Sequence, residues 1–413
     1  MTEALEERRR ESKSVVPAPV KGLSAVSLLN DFASEMVYPL LPAFITKTLG
    51  GGALALGALD GAADLTASLL RALSGRWADR SGWQRPLIIV GYAIATAVRP
   101  LIALAGSAWQ VVVARVTDRI GKGLRSPARD AMIAQVTPSA ARGRAFGFHR
   151  AADHFGAVLG SLLAWFLLSR GVEVRNVIGW SLVPGLVGML VLLRVLADRQ
   201  TGGKAEEQGV APASPPIRSR GFGAGSAEFW MPVGAMTLLI VSRLPETLLL
   251  LRLQDLGVAV SAVPLVWAGL HVVRSLAAYP GGWLTDRIGP RGMLAAGAML
   301  FGGVLVILAR SLSAAMAVAA FLALGLVTGL SEASDRQVVA AVGKGGQGRA
   351  FGNAQALAGL AALPAGLAFG ALYEKGGGPT ALWASAAASG LATLLWLGAS
   401  RNLQADQTAK PPA

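Results

Sequence analysis

The sequence lacks cysteine altogether across its 413 residues, which excludes disulfides, thiolate metal sites and thiol nucleophiles. It is also poor in charge. Asp, Glu, Lys and Arg make up 15% of the chain, against about 25% in an ordinary soluble domain. Histidine is confined to His149, His154 and His271. No phosphate-binding Walker loop, zincin His-Glu pattern or nucleophile elbow stands in a suitable context. ATP-driven pumping therefore has no site, no cofactor is expected, and the chain does not read as an enzyme.

Apolar length is what the sequence has in excess. Hydrophobic residues reach 53% and the mean hydropathy is +0.51. Apolar runs occur at about 23–46, 53–74, 86–107, 109–132, 146–168 and 177–197, then at 231–253, 262–281, 292–309, 313–334, 350–373 and 380–399. Each is long enough to cross a hydrocarbon layer about 30 Å thick as a helix. An all-α polytopic membrane protein of twelve transmembrane helices is expected, arranged as two six-helix bundles at 23–197 and 230–400. A Gly-, Pro-, Ser- and charge-rich linker at 198–229 joins them and cannot bury a core. The leader at 1–22 is too polar and acidic for a secretory signal, and 401–413 forms a short tail.

The two bundles repeat one another. GRWADRSG (Gly75–Gly82) returns as GWLTDRIG (Gly282–Gly289), with Asp79 and Asp286 separated by 207 positions. RAFG recurs at Arg144–Gly147 and Arg349–Gly352, and Leu49-Gly50 at Leu256-Gly257. An even number of spans per half makes this a parallel repeat. Charge placement fixes an expected orientation. With both termini cytoplasmic, only Lys47, Arg170, Arg175, Arg252, Arg310 and Lys375 fall on the outer side, and most other Lys and Arg face inward. The net charge of +14 then follows from topology and does not require a nucleic acid partner.

Twelve spans in two halves, with Gly-x-x-x-Asp-Arg-x-Gly after the second and the eighth, resemble the major facilitator superfamily over nearly the whole chain. In that family the motif continues with two basic residues. Here Trp83 and Gln84 intervene before Arg85, and Pro290 precedes Arg291 in the second copy. The resemblance implies a cytoplasmic gate at Gly75, Asp79, Arg80 and Gly82 and at Gly282, Asp286, Arg287 and Gly289. Arg119, followed by Gly123 on the fourth run, matches part of another family motif and is grouped with that gate. It further implies transport by alternating access around a midplane site lined by runs 1, 2, 4, 5, 7, 8, 10 and 11. More narrowly, NDFASEMVYPLLPAF (Asn30–Phe44), DRIGKGLRSPARDAMIA (Asp118–Ala134) and RGRAFGFHRAADHFGAVLG (Arg142–Gly160) resemble a poorly characterised prokaryotic branch. That branch sits among efflux proteins, some described as exporters of nickel, other metals or drugs.

Ionisable residues inside spans are costly and are candidates for function. Asp31 and Glu35 lie four apart on one helix face, as do Asp60 and Asp64. Two carboxylates so close in a low dielectric cannot both be charged cheaply, which suits proton uptake and release, or the binding of a cation. Internal basic residues at Arg71, Arg99, Arg115, Arg243 and Arg274 could equally neutralise them together with Glu246. Arg243 and Glu246 flank Leu244-Pro245, where the seventh run should break. As the counterpart of the first run, it should set them opposite Asp31 and Glu35, with His271 and Arg274 nearby on the eighth. His149 and Asp153 have a spacing that can hold a metal, but two ligands make no site, and no metal centre is expected. Gly156-x-x-x-Gly160 is followed by Ser161 where drug antiporters have Pro, and is read as a helix-packing motif. The expected protein is a monomer in the inner (plasma) membrane, with protons as coupling ion and a small molecule or ion as substrate. Proton-coupled efflux leads; uptake of an organic anion and a non-transporting sensor or scaffold are the alternatives.

Overall fold

A computed structural model describes residues 16–78, 82–137, 142–202, 227–342 and 347–401. The first half is built from six helical spans. Helix α1 runs Ala18–Val37 and continues through a tight turn at Tyr38–Leu40, a further turn at Leu41–Ala43 and a wide turn at Phe44–Thr48. It is followed by α2 (Ala53–Ala78), α3 (Gln84–Leu101), α4 (Ala108–Gln135), α5 (Arg142–Ser169) and α6 (Val174–Trp180 with Leu182–Gly202). In the second half α7 is split into Ala227–Val241 and Glu246–Asp255. Val263–Arg310 turns at Gly289, giving α8 (263–288) and α9 (290–310). After α10 (Ala314–Val342), Gln347–Ala399 turns at Gly377, giving α11 (347–376) and α12 (378–399). Among the described residues the chain is helical throughout and forms twelve spans.

Local chemistry explains the boundaries. Gln110 Oε1 accepts from the Gly106 and Ser107 N–H groups, at 2.7 and 3.2 Å, and so satisfies the start of α4. Pro39 and Pro42 loosen α1, and Pro245 breaks α7, at corresponding places in the two halves. The left-handed glycines among the described residues come in pairs: Gly50 with Gly257, Gly82 with Gly289, and Gly171 with Gly377. The last pair is a repeat landmark that the sequence comparison above did not use. Residues 281–288 continue α8, and only Gly289 turns the chain.

One hydrophobic cluster spans both halves, with Leu40, Phe44 and Leu56 from the first and Leu250, Phe321 and Phe369 from the second. It lies where α1 and α7 end, away from the termini. Two smaller clusters stay apart. Leu23, Ile88, Ile133 and Leu192 belong only to the first half, and Val233, Leu294, Val338 and Trp396 only to the second. They lie where α1 begins and α12 ends. The protein is therefore sealed at the end opposite its termini and divided at the end that carries them.

The sealed end depends on a backbone-to-backbone seam between α2 and α11. A Cβ on Gly57 would sit 2.0 Å from the Gly366 carbonyl oxygen, and one on Gly366 would sit 2.3 Å from that of Gly57. Within the first half, Gly156 and Gly160 bring α5 equally close to α1, since a Cβ on either would lie 2.2 Å from the carbonyl oxygen of Leu28 or Phe32. Gly57→Val is expected to cost at least ~1–3 kcal/mol by overpacking. Gly282→Ala, where a Cβ meets nothing within 4 Å, should cost nothing. Thermal denaturation of the purified protein in detergent checks both, and a Gly57→Val melting temperature equal to wild type would contradict the seam.

Candidate functional site

Two adjoining cavities, of about 350 and 440 Å³, lie between the halves beneath the shared cluster. Glu35, Arg243, Glu246 and His271 line both; Asp60 and Asp64 line the smaller, Asp31 and Arg274 the larger. The eight residues picked from the sequence as substrate- or proton-coupling candidates are thus brought to one place. The break in α7 accounts for two of them, because it turns Arg243 and Glu246 to the cavity on either side of Pro245.

Their partners differ. Glu35 accepts from Trp267 Nε1 at 2.8 Å, a bond from the second half to the first, and lies 4.0 Å from His271 Nε2. His271 makes no hydrogen bond through either ring nitrogen and packs edge-on against Trp267. Asp31 accepts from the Asn30 amide at 2.8 Å. Glu246 is taken by Arg274 at 2.9 Å, and Arg274 also donates to Thr328. Arg243 lies over the Phe301 ring at 5.5 Å, with Nε unbonded. Asp64 is exposed to the cavity beside Arg119 and Lys122.

Asp60 is the residue whose surroundings depart furthest from expectation. Tyr38 O–H donates to it at 3.1 Å, Thr247 O–H at 2.8 Å and the Thr247 backbone N–H at 3.1 Å. A carboxylate from the first half therefore caps the second piece of α7, where unpaired backbone N–H groups and the positive end of the helix dipole meet. It is occupied by protein rather than open to a ligand.

Helix α4 carries a buried charge cluster. Arg99 Nε lies 2.8 Å from Asp118, with Arg115 at 3.6 Å and Arg119 at 3.5 Å, and the Asp118 side chain is 1% exposed. Arg99 also donates to the Asn30 carbonyl. Arg119, grouped with the gate from the sequence, instead sits in mid-helix and lines the smaller cavity. Helix α4 runs unbroken from Ala108 to Gln135, so Arg119 falls near its middle. His149 pairs with Ser24 at 3.3 Å and lies 3.7 Å from Asp153, and no group of three metal-ligating side chains forms among the described residues.

The profile of the Major Facilitator Superfamily matches residues 23–270, more than half of the chain. The chain belongs to the major facilitator superfamily. It is similar to an uncharacterized MFS-type transporter of Methanocaldococcus jannaschii, 27% identical over 383 residues that cover 90% of this chain and 93% of that one. It also resembles the multidrug resistance protein MdtH of Photorhabdus laumondii, 32% identical over 133 residues, about a third of each chain. Among solved structures, a bacterial homolog of the human lysosomal transporter Spinster aligns with a TM-score of 0.74 at 18% identity, covering 95% of this chain and 98% of that one. This facilitator is a polytopic membrane protein with the twelve-helix fold, and its family is one of secondary transporters.

The facilitator's repeated Gly-x-x-x-Asp-Arg-x-Gly motifs lie at its divided end. Asp79 and Arg80 fall outside the described residues, as does the side chain of Asp286. Gly82 and Gly289 make the turns. A Cβ on Gly75 would come no closer than 4.0 Å to another helix, and Gly282 has open space. Arg287 is exposed and stacks on Trp283 of its own helix at 3.8 Å. The contacts shown for Gly75, Gly282 and Arg287 all stay within their own half.

Removing the carboxylate of Asp118 would leave three arginines without their anion. Asp118→Ala is expected to lose about 3–5 kcal/mol of stability. Arg274→Ala breaks the partly exposed pair with Glu246 and should lose less than about 1 kcal/mol. Parallel thermal melts of the two variants check the ranking, and the reverse order would contradict the assignment of Asp118 as a structural hub.

Proposed function

We propose that this facilitator is a proton-coupled exporter of a small, drug-like solute, with Glu35 as the proton-carrying group and both termini in the cytoplasm of an inner (plasma) membrane. The observation that carries the reading is the position of Glu35. Its carboxylate belongs to the first half, lines both cavities and accepts a hydrogen bond from the second half through Trp267. A change in its charge therefore alters a contact between halves, and this is what coupling a proton to rocking requires. Asp31 lies one turn away on the same face and assists. The similarity to MdtH, a protein named for multidrug resistance, supports export and an organic cargo.

Uptake of an organic anion is the second reading, favoured by Arg243. That guanidinium faces both cavities with an unbonded Nε. Arg274, the other half of the clamp expected from the sequence, is held by Glu246, so Arg243 would act without it.

In proteoliposomes with an imposed pH gradient, Glu35→Gln and Asp31→Asn are expected to abolish solute flux while leaving the melting temperature near wild type. Wild-type flux in both variants would sink the coupling role. Loss of organic-anion flux in Arg243→Gln would favour the anion reading.

A further inference from the structure

The contacts of Asp60 and Trp267 are related by the internal repeat. The two residues are 207 positions apart, the same spacing as Gly50 to Gly257 on one side of them and Gly82 to Gly289 on the other. They therefore occupy equivalent places on α2 and α8, the second helices of the two halves. Each reaches across to the first helix of the opposite half. Asp60 takes the O–H and N–H of Thr247 on α7, and Trp267 donates its indole N–H to Glu35 on α1.

Tyr38 joins the two. Its hydroxyl donates to Asp60, its ring lies 5.2 Å from that of Trp267, and the Arg115 guanidinium covers it at 4.7 Å. Tyr38 is 7% exposed, Trp267 2% and Thr247 0%. The assembly sits directly between the smaller cavity, which Tyr38, Asp60 and Trp267 all line, and the cluster that seals the end away from the termini.

We propose that these are two symmetric arms of one latch that holds the sealed end shut, and that Tyr38 carries a change at Glu35 to Asp60. Asp60 is thereby a positioning residue for the conformational cycle, not a ligand for cargo. Its bonds must break for the sealed end to open. They are charge-assisted and part-buried, which makes them the strong class of such contacts. Losing the Trp267 bond at Glu35 frees the ring on which Tyr38 rests, and with it the hydroxyl that steadies Asp60. The latch concerns which conformation is populated and does not depend on whether Glu35 carries a proton.

The cysteine-free chain allows a direct test. Spin labels on Lys47→Cys and Lys375→Cys, exposed positions at the sealed end of opposite halves, report its opening by pulsed dipolar distance measurement in lipid, with no transport required. The wild type is expected to give mainly the short distance. Asp60→Ala should raise the ratio of long to short distances about tenfold or more, as loss of hydrogen bonds to a charged group would. Trp267→Phe should shift it in the same direction, and Tyr38→Phe, which keeps the ring, by less. Should Asp60→Ala fail to fold, Thr247→Val removes the 2.8 Å bond and must still lengthen the distance. An unchanged distribution in Asp60→Ala, or in Thr247→Val if only that variant folds, would overturn the latch. Wild-type flux in Glu35→Gln would overturn proton coupling and leave this distance result standing.

Discussion

A charge inside a bilayer has to be answered within the protein, and that constraint shapes most of what this facilitator does. Asp118 is the plainest case, a carboxylate shielded from water and surrounded by Arg99, Arg115 and Arg119. Arg99 also ties α3 to the Asn30 carbonyl of α1, while Arg115 lies over Tyr38. One acid on α4 thus fixes three helices and orients the aromatic ring at the roof of the cavity. Burial of such a cluster is weak evidence for stability as such. Its value lies in specifying how the helices of the first half sit before the second half meets them.

The second half meets them unevenly. At one end a single apolar cluster, the glycine seam of α2 and α11, and the crossed contacts of Asp60 and Trp267 join the halves. At the other end each half keeps its own core. A transporter that rocks needs one set of contacts that can form only when the other is broken. The repeated Gly-x-x-x-Asp-Arg-x-Gly motifs stand at the divided end, where Gly75, Gly282 and Arg287 keep to their own half.

Much of this was legible in the sequence because it follows from periodicity and from residues with strong local consequences. Run lengths located the spans, Pro245 located the break in α7, and Gly156 with Gly160 located a close helix contact. Carboxylates and bases inside apolar runs located the cavity. What stayed hidden depends on partners distant in sequence. Asp60 looked like a coupling acid, because its true partners include a backbone N–H exposed only by the break in another helix. Trp267 in an apolar run is indistinguishable from packing until Glu35 is seen beside it. Arg119 was grouped with the gate on a motif match alone, and nothing in its own run shows that it lines the cavity beside the buried Asp118.

The account rests on a cavity that opens toward the termini and is sealed on the other side. Thr328, on the wall of the larger cavity, offers the most direct test. A single Thr328→Cys in this cysteine-free chain can be exposed to a membrane-impermeant maleimide from either face of sealed vesicles. Labelling predominantly from the face that carries the termini is the predicted result. Equal labelling from both faces, or labelling only from the opposite face, would contradict it.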